Sequence, residues 1–250
     1  MPWIGNCMNM IHLFLVMTFF SSLSVFADTY QIVHLKGDVS IIRGSNDLTA
    51  AKNFKLQNKD LVKTGEDSLA IIKGSRLTLK VVENSKVSIA ELDKEILVDI
   101  DQGGVVANYV KQKIKDAVGT KLNVKTRHTA MGVRGTTFFA YNHKNQTSYL
   151  TVKEGEVEFQ GRNSSKSEFV SLGKTAFTDS SLKSLKPKKV GFEEDINWEL
   201  SNMKSNLSQP KKLFSKMEEQ WNNYKKENEK KWKDHKNSME DQWNKMKDQL

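Results

Sequence analysis

The side chains with the widest chemical range in this 250-residue chain are five histidines and one cysteine. Imidazoles and thiolates bind transition metals, and either group can act as a base or a nucleophile beside a suitable partner. None of the histidines forms a pair at metal-ligand spacing with another histidine, the cysteine or an acidic neighbour. The sequence therefore predicts no metal site and no cofactor. These residues are His12, His34, His128, His143, His235 and Cys7.

Other catalytic patterns are equally sparse. The best pair of carboxylates for glycoside chemistry is Glu154 and Glu156, which are two residues apart in an expected strand and turn, where no cleft is predicted. The chain has neither a Gly-x-Ser-x-Gly elbow nor a phosphate-binding loop that ends in Gly-Lys-Ser/Thr. Residues 132–135 (GVRG) match the bare loop of one RNA-binding fold, but that fold needs helices on both sides. We therefore predict a protein without enzymatic activity.

Short alternating runs of apolar and polar residues extend from residue 28 to about residue 180. Gly, Asn, Asp and Ser separate these runs, as in the strand–turn–strand pattern of residues 68–81. Many short strands at close spacing are typical of a sandwich, a barrel or a solenoid. The sequence thus predicts an all-β domain over residues 28–180, solenoid- or sandwich-like. One interruption, Tyr109 to Ala117, is expected to be a single helix or an irregular crossover.

The first 27 residues carry no charged side chain. An apolar run from Leu13 to Phe20 leads to Val25 and Ala27, small residues at the −3 and −1 positions of a secretory cleavage site. We predict a signal peptide over residues 1–27, cleaved after Ala27, and hence a periplasmic or secreted protein. Since a positively charged start is missing, an uncleaved membrane anchor is the alternative, although the apolar run is short for a span.

Residues 181–210 are rich in Ser and Lys and are predicted to be a basic linker. The whole chain has a net charge of +9, whereas residues 193–250 contain 12 acidic and 12 basic residues. The excess positive charge therefore lies in the β domain and its exit. Anionic envelope polymers or lipid head groups could contact this linker, but a solvated linker is the favoured interpretation. Because a secretory signal precedes it, we predict no nucleic-acid partner.

Residues 211–250 are predicted to form an amphipathic helix with an 11-residue repeat. The repeat places one narrow apolar stripe along a charged helix, which is typical of a coiled coil. Two alternatives are a helix lying on lipid and a helix folded back along its own β domain. Self-association is favoured because the helix has little net charge for anionic lipid. The predicted seam residues are Met217, Trp221, Tyr224, Trp232, Met239, Trp243 and Met246.

The order of several motifs between residues 61 and 160 resembles the FecR family. The first half contains LVKTG at 61–65, GSRLTL at 74–79 and NSKV at 84–87. The second half contains LNVKT at 122–126, MGVRGTTF at 131–138 and YLTVKEGEV at 149–157. The motif residues are Gly74, Gly132, Gly135, Thr136, Phe138, Glu154, Gly155 and Val157. We predict a structural role for all of them, with glycines in turns and Phe138 and Val157 in the core.

The resemblance also implies a function. FecR-type regulators span the inner membrane, control a sigma factor with a cytoplasmic segment and sense an outer-membrane receptor with a periplasmic domain. The stretch before Leu13 is too short for such a cytoplasmic segment. The resemblance therefore favours an exported binding or scaffold module for an envelope protein or polysaccharide, which self-associates through its C-terminal helix. A membrane-anchored sensor is the alternative.

Overall fold

The computed structural model describes residues 29–92, 95–110, 121–143, 147–162, 164–178, 187, 189, 191–200 and 210–247. In this part of the chain the strands are β1 (Gln31–Lys36), β2 (Val39–Arg43), β3 (Asn46–Thr49), β4 (Leu61–Thr64), β5 (Leu69–Lys73), β6 (Leu77–Val81), β7 (Lys86–Leu92), β8 (Glu95–Tyr109), β9 (Lys121–Thr126), β10 (Thr129–Val133), β11 (Thr137–Asn142), β12 (Ser148–Glu154), β13 (Glu156–Gly161), β14 (Glu168–Ser171) and β15 (Thr175–Thr178). A short 3₁₀ helix (Phe192–Glu194) and helix α1 (Pro210–Lys247) follow. The prediction of a mainly β protein is confirmed.

The strands form two hydrogen-bonded groups that share the 15-residue strand β8. Sheet 1 has the order β1-β5-β6-β8-β11-β12-β15 and uses the second half of β8. Sheet 2 has the order β14-β13-β10-β9-β8-β7-β4-β2-β3 and uses the first half of β8. Only the β8–β9 pair is parallel among the paired strands of the described residues. A single long strand thus joins the two sheets.

The chain passes from one sheet to the other at seven described places, and a residue with positive φ lies at each of them. These residues are Gly37 (75°), Asp67 (52°), Asn84 (54°), Gly103 (73°), Gly135 (64°), Gly155 (81°) and Gly173 (69°). Gly, Asn and Asp tolerate this left-handed conformation better than other residues, which explains why they interrupt the apolar runs. Gly103 marks the bend within β8, and a Cβ there would lie 2.6 Å from Ser85 Cα.

The two sheets enclose one hydrophobic core. Both sheets contribute fully buried side chains to it, among them Ile72 and Leu79 from sheet 1 and Val62 and Val98 from sheet 2. Buried and more exposed residues alternate along β9 and β13 of sheet 2, so one face of these strands packs on the core and the other does not. Strands β5, β11 and β12 of sheet 1 instead have consecutive buried residues. Sheet 1 is therefore covered on both of its faces.

A partly buried ion pair between Arg43 and Asp60 fixes the long loop between β3 and β4. Arg43 Nε donates to Asp60 Oδ1 at 2.9 Å, and Arg43 also lies 5.4 Å from the centre of the Phe54 ring. The backbone N–H of Gln57 donates to Asp60 Oδ2 at 2.9 Å. Burial disfavours the Asp60 carboxylate, but the Arg43 guanidinium and the Gln57 N–H outweigh it and lower the pKa of Asp60.

Some predictions fall on residues outside the described part of the chain. The predicted signal peptide (1–27) is one of them, and most of the interruption between Tyr109 and Ala117 is another, since the described chain stops at residue 110 and resumes at 121. Tyr109 itself is the last residue of β8. None of the described helices is both long and apolar enough to cross a membrane.

Candidate interaction site

The motif residues Gly135, Thr136 and Gly155 meet where the chain changes sheets. Gly135 and Gly155 both have positive φ, and a Cβ on Gly155 would lie 2.7 Å from the carbonyl oxygen of Gly135. The backbone N–H of Tyr109 donates to the Thr136 carbonyl at 2.9 Å. These residues hold two chain crossings against the end of β8. Their packing accounts for the motif without a ligand.

The other motif residues also lie within the scaffold. Phe138 and Val157 are fully buried in the core between the sheets. A Cβ on Gly74 would lie 2.5 Å from the nearest atom of the Tyr30 ring, whereas one on Gly132 would make only ordinary contacts. Glu154 Oε2 accepts a hydrogen bond from the Thr137 hydroxyl at 3.3 Å. None of these contacts forms a reactive centre.

The residues with possible catalytic or metal chemistry remain apart. No group of three His, Cys, Asp or Glu side chains within the described ranges is placed to hold a metal ion. Glu154 and Glu156 are both exposed at the end of β12 and the start of β13. Arg127 Nη2 lies 3.0 Å from Asp101 Oδ1 in an exposed ion pair beside His128. Both carboxylates and both members of this ion pair therefore lie at the surface.

The outer face of sheet 1, which points away from the core between the sheets, carries two rows of buried side chains. Cross-strand pairing forms one row along it from Lys80 through Val106 and Phe139 to Thr151. The ring centres of Tyr149 and Phe177 lie 6.0 Å apart, and the ring centre of Tyr141 lies 5.9 Å from that of Phe139 in the first row. A second row, made of aromatic residues, thus runs beside the first. Its members are Tyr141, Tyr149 and Phe177. An apolar face of this kind is normally covered by another part of the protein or by a partner.

Residues 191–200 cover this face. Phe192 and Ile196 are 1% and 4% exposed and pack in one cluster with the aromatic rows. Trp198 and Leu200 pack at the edge of the same cluster, where the Lys153 ammonium lies 5.8 Å from the centre of the Trp198 ring. Part of the segment 181–210, which was predicted to be a linker, is thus packed against the β domain. We call residues 191–200 the cover.

Helix α1 begins on the same face. Met217 is 1% exposed and belongs to the cluster under the cover. The Tyr149 hydroxyl donates to the Met217 carbonyl at 3.4 Å, and Lys216 forms an ion pair with Asp195 of the cover. Met217 was predicted to be a seam residue, but it packs within its own chain. The interpretation that the helix folds back on the β domain therefore describes its first turns.

Lys80 lies in the apolar layer between sheet 1 and the cover. Its side chain is fully buried, and Nζ donates a hydrogen bond of 2.9 Å to the carbonyl of Glu199. Burial disfavours the ammonium ion and lowers the pKa of Lys80 to about 8, although the negative charge of Glu199 opposes this shift. Burial likewise raises the pKa of Tyr141 on the same face.

The middle of α1 exposes a row of apolar side chains. Trp232 is 69% exposed and Met239 is 56% exposed, and they lie seven residues apart on one side of the helix. His235 lies between them and is also exposed. The side chains of the other predicted seam residues, Trp221, Tyr224, Trp243 and Met246, are outside the described set. We call Trp232, His235 and Met239 the exposed row.

Sequence reasoning missed the cover and Lys80. One available signal was the unbroken apolar character of residues 69–72 and 138–141, because strands buried on both faces lose their alternation. That signal indicates a covered second face but does not identify the segment that covers it. The Lys-rich start of this segment, residues 181–190, concealed the apolar residues between 192 and 200.

Comparisons with known proteins agree with the motif order. Residues 60–158 match the FecR protein family, which confirms the resemblance over that part of the chain. Two crystal structures of a candidate anti-sigma factor from Parabacteroides distasonis ATCC 8503 are similar in structure, with a TM-score of 0.44 and 13% sequence identity. The similarity covers 52% of this chain and 59% of that chain. No curated protein matches the sequence.

Proposed function

We propose that this protein is an exported, non-catalytic FecR-domain protein that acts as a binding or scaffold module in the cell envelope. Its partner is an envelope protein or a polysaccharide, and it self-associates through helix α1. The FecR domain at residues 60–158 supports a binding role, because its motif residues serve packing rather than chemistry. The uncharged, apolar residues 1–27 support export.

The exposed row on α1 is the observation that carries the self-association. The first turns of the helix pack through Met217 on the β domain, but Trp232 and Met239 lie beyond that contact and face solvent. Large exposed apolar side chains at helical spacing on a charged helix are typical of a seam that a second helix covers. The polar His235 within the row would then help to set the register.

Sedimentation of the purified protein tests this seam. We expect the wild-type chain to sediment as an oligomer and Trp232→Asp to sediment as a monomer, since the substitution places a charge in the seam. Asn237→Asp is the matched control, because it adds the same charge on the opposite face of the helix. A monomeric wild type, or an oligomer that survives Trp232→Asp, would contradict self-association through α1.

The second candidate is a membrane-anchored FecR-type sensor in cell-surface signalling. The same FecR match supports it, and the apolar run that ends near Phe20 would supply the anchor if it is not cleaved. Such a regulator would act through a separate membrane partner. An uncleaved chain in inner-membrane fractions would favour this candidate over the exported module.

A further inference from the structure

Within the described residues, the cover packs on the outer face of sheet 1. Its apolar contacts include Phe192 and Ile196, and its polar contacts include the hydrogen bond from Lys80 to Glu199 and the ion pair between Asp195 and Lys216 of α1. The two sheets, in contrast, are joined by continuous strand pairing and a separate core. Nothing in that core depends on the cover, because its side chains lie on the opposite face of sheet 1. The core between the sheets is therefore separate from the contacts that the cover makes.

We propose that residues 191–200 form a releasable cover, which detaches from the outer face of sheet 1 while both sheets stay folded, and that Lys80 sets how readily it detaches. This inference goes beyond the proposed binding function and does not depend on it. Release exposes Phe139, Tyr141, Tyr149 and Phe177 together, and it also hydrates the Lys80 ammonium.

Lys80 is an unusual residue at the centre of the apolar contact between sheet 1 and the cover. An ammonium ion has three N–H donors, and within the described part of the chain Nζ donates one hydrogen bond, to Glu199. Burying a charge with so few acceptors costs free energy, which the open state recovers when water reaches Nζ. An apolar side chain of the same length would pack in the same place without that cost. The lysine therefore weakens the closed state.

Release of the cover is coupled to helix α1. Asp195 of the cover pairs with Lys216, and Met217 packs in the same cluster as Phe192 and Ile196. The first turns of α1 thus lose part of their contact surface when the cover leaves. A partner that pulls or reorients α1 would favour the open state for the same reason.

Native-state thiol labelling tests the release, because β8 offers two adjacent valines on opposite faces. In a Cys7→Ser background, Val106→Cys places a thiol under the cover and Val105→Cys places one in the core between the sheets; both valines are fully buried. We expect Val106→Cys to react with a soluble thiol reagent about 100-fold faster than Val105→Cys, with weaker dependence on urea, because only partial opening is needed.

The role of Lys80 is tested in the same background. Adding Lys80→Met should slow the labelling of Val106→Cys by about tenfold or more, since a buried charge is replaced by an apolar side chain. Val82→Cys and Val81→Cys repeat the comparison on β6 and the residue after it if the first pair fails to fold. Equal rates and equal urea dependence on the two faces would overturn the releasable cover. Unchanged labelling after Lys80→Met would overturn the role of Lys80.

Discussion

At the scale of single residues, the fold depends on a few positions where the backbone turns between the sheets. The seven crossings within the described residues use Gly, Asn or Asp with positive φ, and Asn84, Gly135 and Gly155 belong to the motifs that resemble the FecR family. These motif positions are therefore required by the left-handed backbone conformation of the crossings. Gly155 shows this most clearly, because both its φ of 81° and its contact with Gly135 exclude a side chain.

Gly155→Ala should destabilise the protein by roughly 3 kcal/mol or more, which combines the cost of a left-handed alanine with overpacking. Gly44→Ala is the matched control: its φ is 62°, but its Cβ would meet no atom within 4 Å. The control should lose only about 1–2 kcal/mol. Urea unfolding measures both, and equal losses would show that the contact with Gly135 is unimportant.

Asp60 gives a prediction about acid stability. Its pKa is lowered in the folded state, chiefly by Arg43 against the opposing effect of burial, so the folded protein holds fewer protons than the unfolded chain at acidic pH. The stabilisation is present above about pH 4, the usual Asp value, and is lost as the pH falls through the lowered pKa.

Asp60→Asn should therefore lower the unfolding free energy at pH 7 by about 1–2 kcal/mol, which is at the low end for hydrogen bonds to charged groups because solvent screens the partly exposed Arg43. Its stability should also fall less steeply than that of wild type below pH 4. Urea unfolding from pH 3 to pH 7 tests both statements. Parallel stability curves for the two proteins would argue against the ion pair with Arg43.

At the scale of elements, the sequence predicted the strands better than the layers they build. The strand–turn–strand pattern of residues 68–81 predicted β5 and β6, because Gly74 and Ser75 separate two runs of strand-forming residues. A helix was predicted over residues 211–250, and α1 spans Pro210–Lys247. The cover was not predicted, since its position depends on contacts between Phe192 or Ile196 and strands that lie far away in sequence.

Because Lys80 is buried under the cover, the unfolding free energy should depend on pH in the alkaline range. The pKa of Lys80 is about 8 in the folded state and about 10.4 in an unfolded chain, so the unfolded state holds more protons between these values. The contribution of Lys80 to the unfolding free energy therefore rises as the pH increases from about 8 to about 10.

Lys80→Met should be more stable than wild type at pH 7, and the difference between the two proteins should shrink as the pH approaches 10. Urea unfolding at pH 7, 8.5 and 10 measures this difference directly. Lys80→Gln is a useful comparison, because it removes the charge but retains a polar group. A constant difference across this range would contradict a lowered pKa for Lys80.

At the scale of the whole molecule, the residues that match the FecR family, 60–158, form the middle of the two-sheet unit. Strands β1, β2 and β3 precede them along the chain, and β14, β15, the cover and α1 follow. The motif order between residues 61 and 160 was sufficient to predict the family, since turn glycines and core residues recur at characteristic spacing. It could not predict the partner, because these motif residues serve the scaffold.

The most direct test of the proposed export is the intact mass of the native protein from fractionated cells. We expect a mass that begins at Asp28, found in a soluble envelope fraction or the medium. That result would support the exported binding module. A full-length mass in the inner membrane would contradict it and would favour the membrane-anchored sensor.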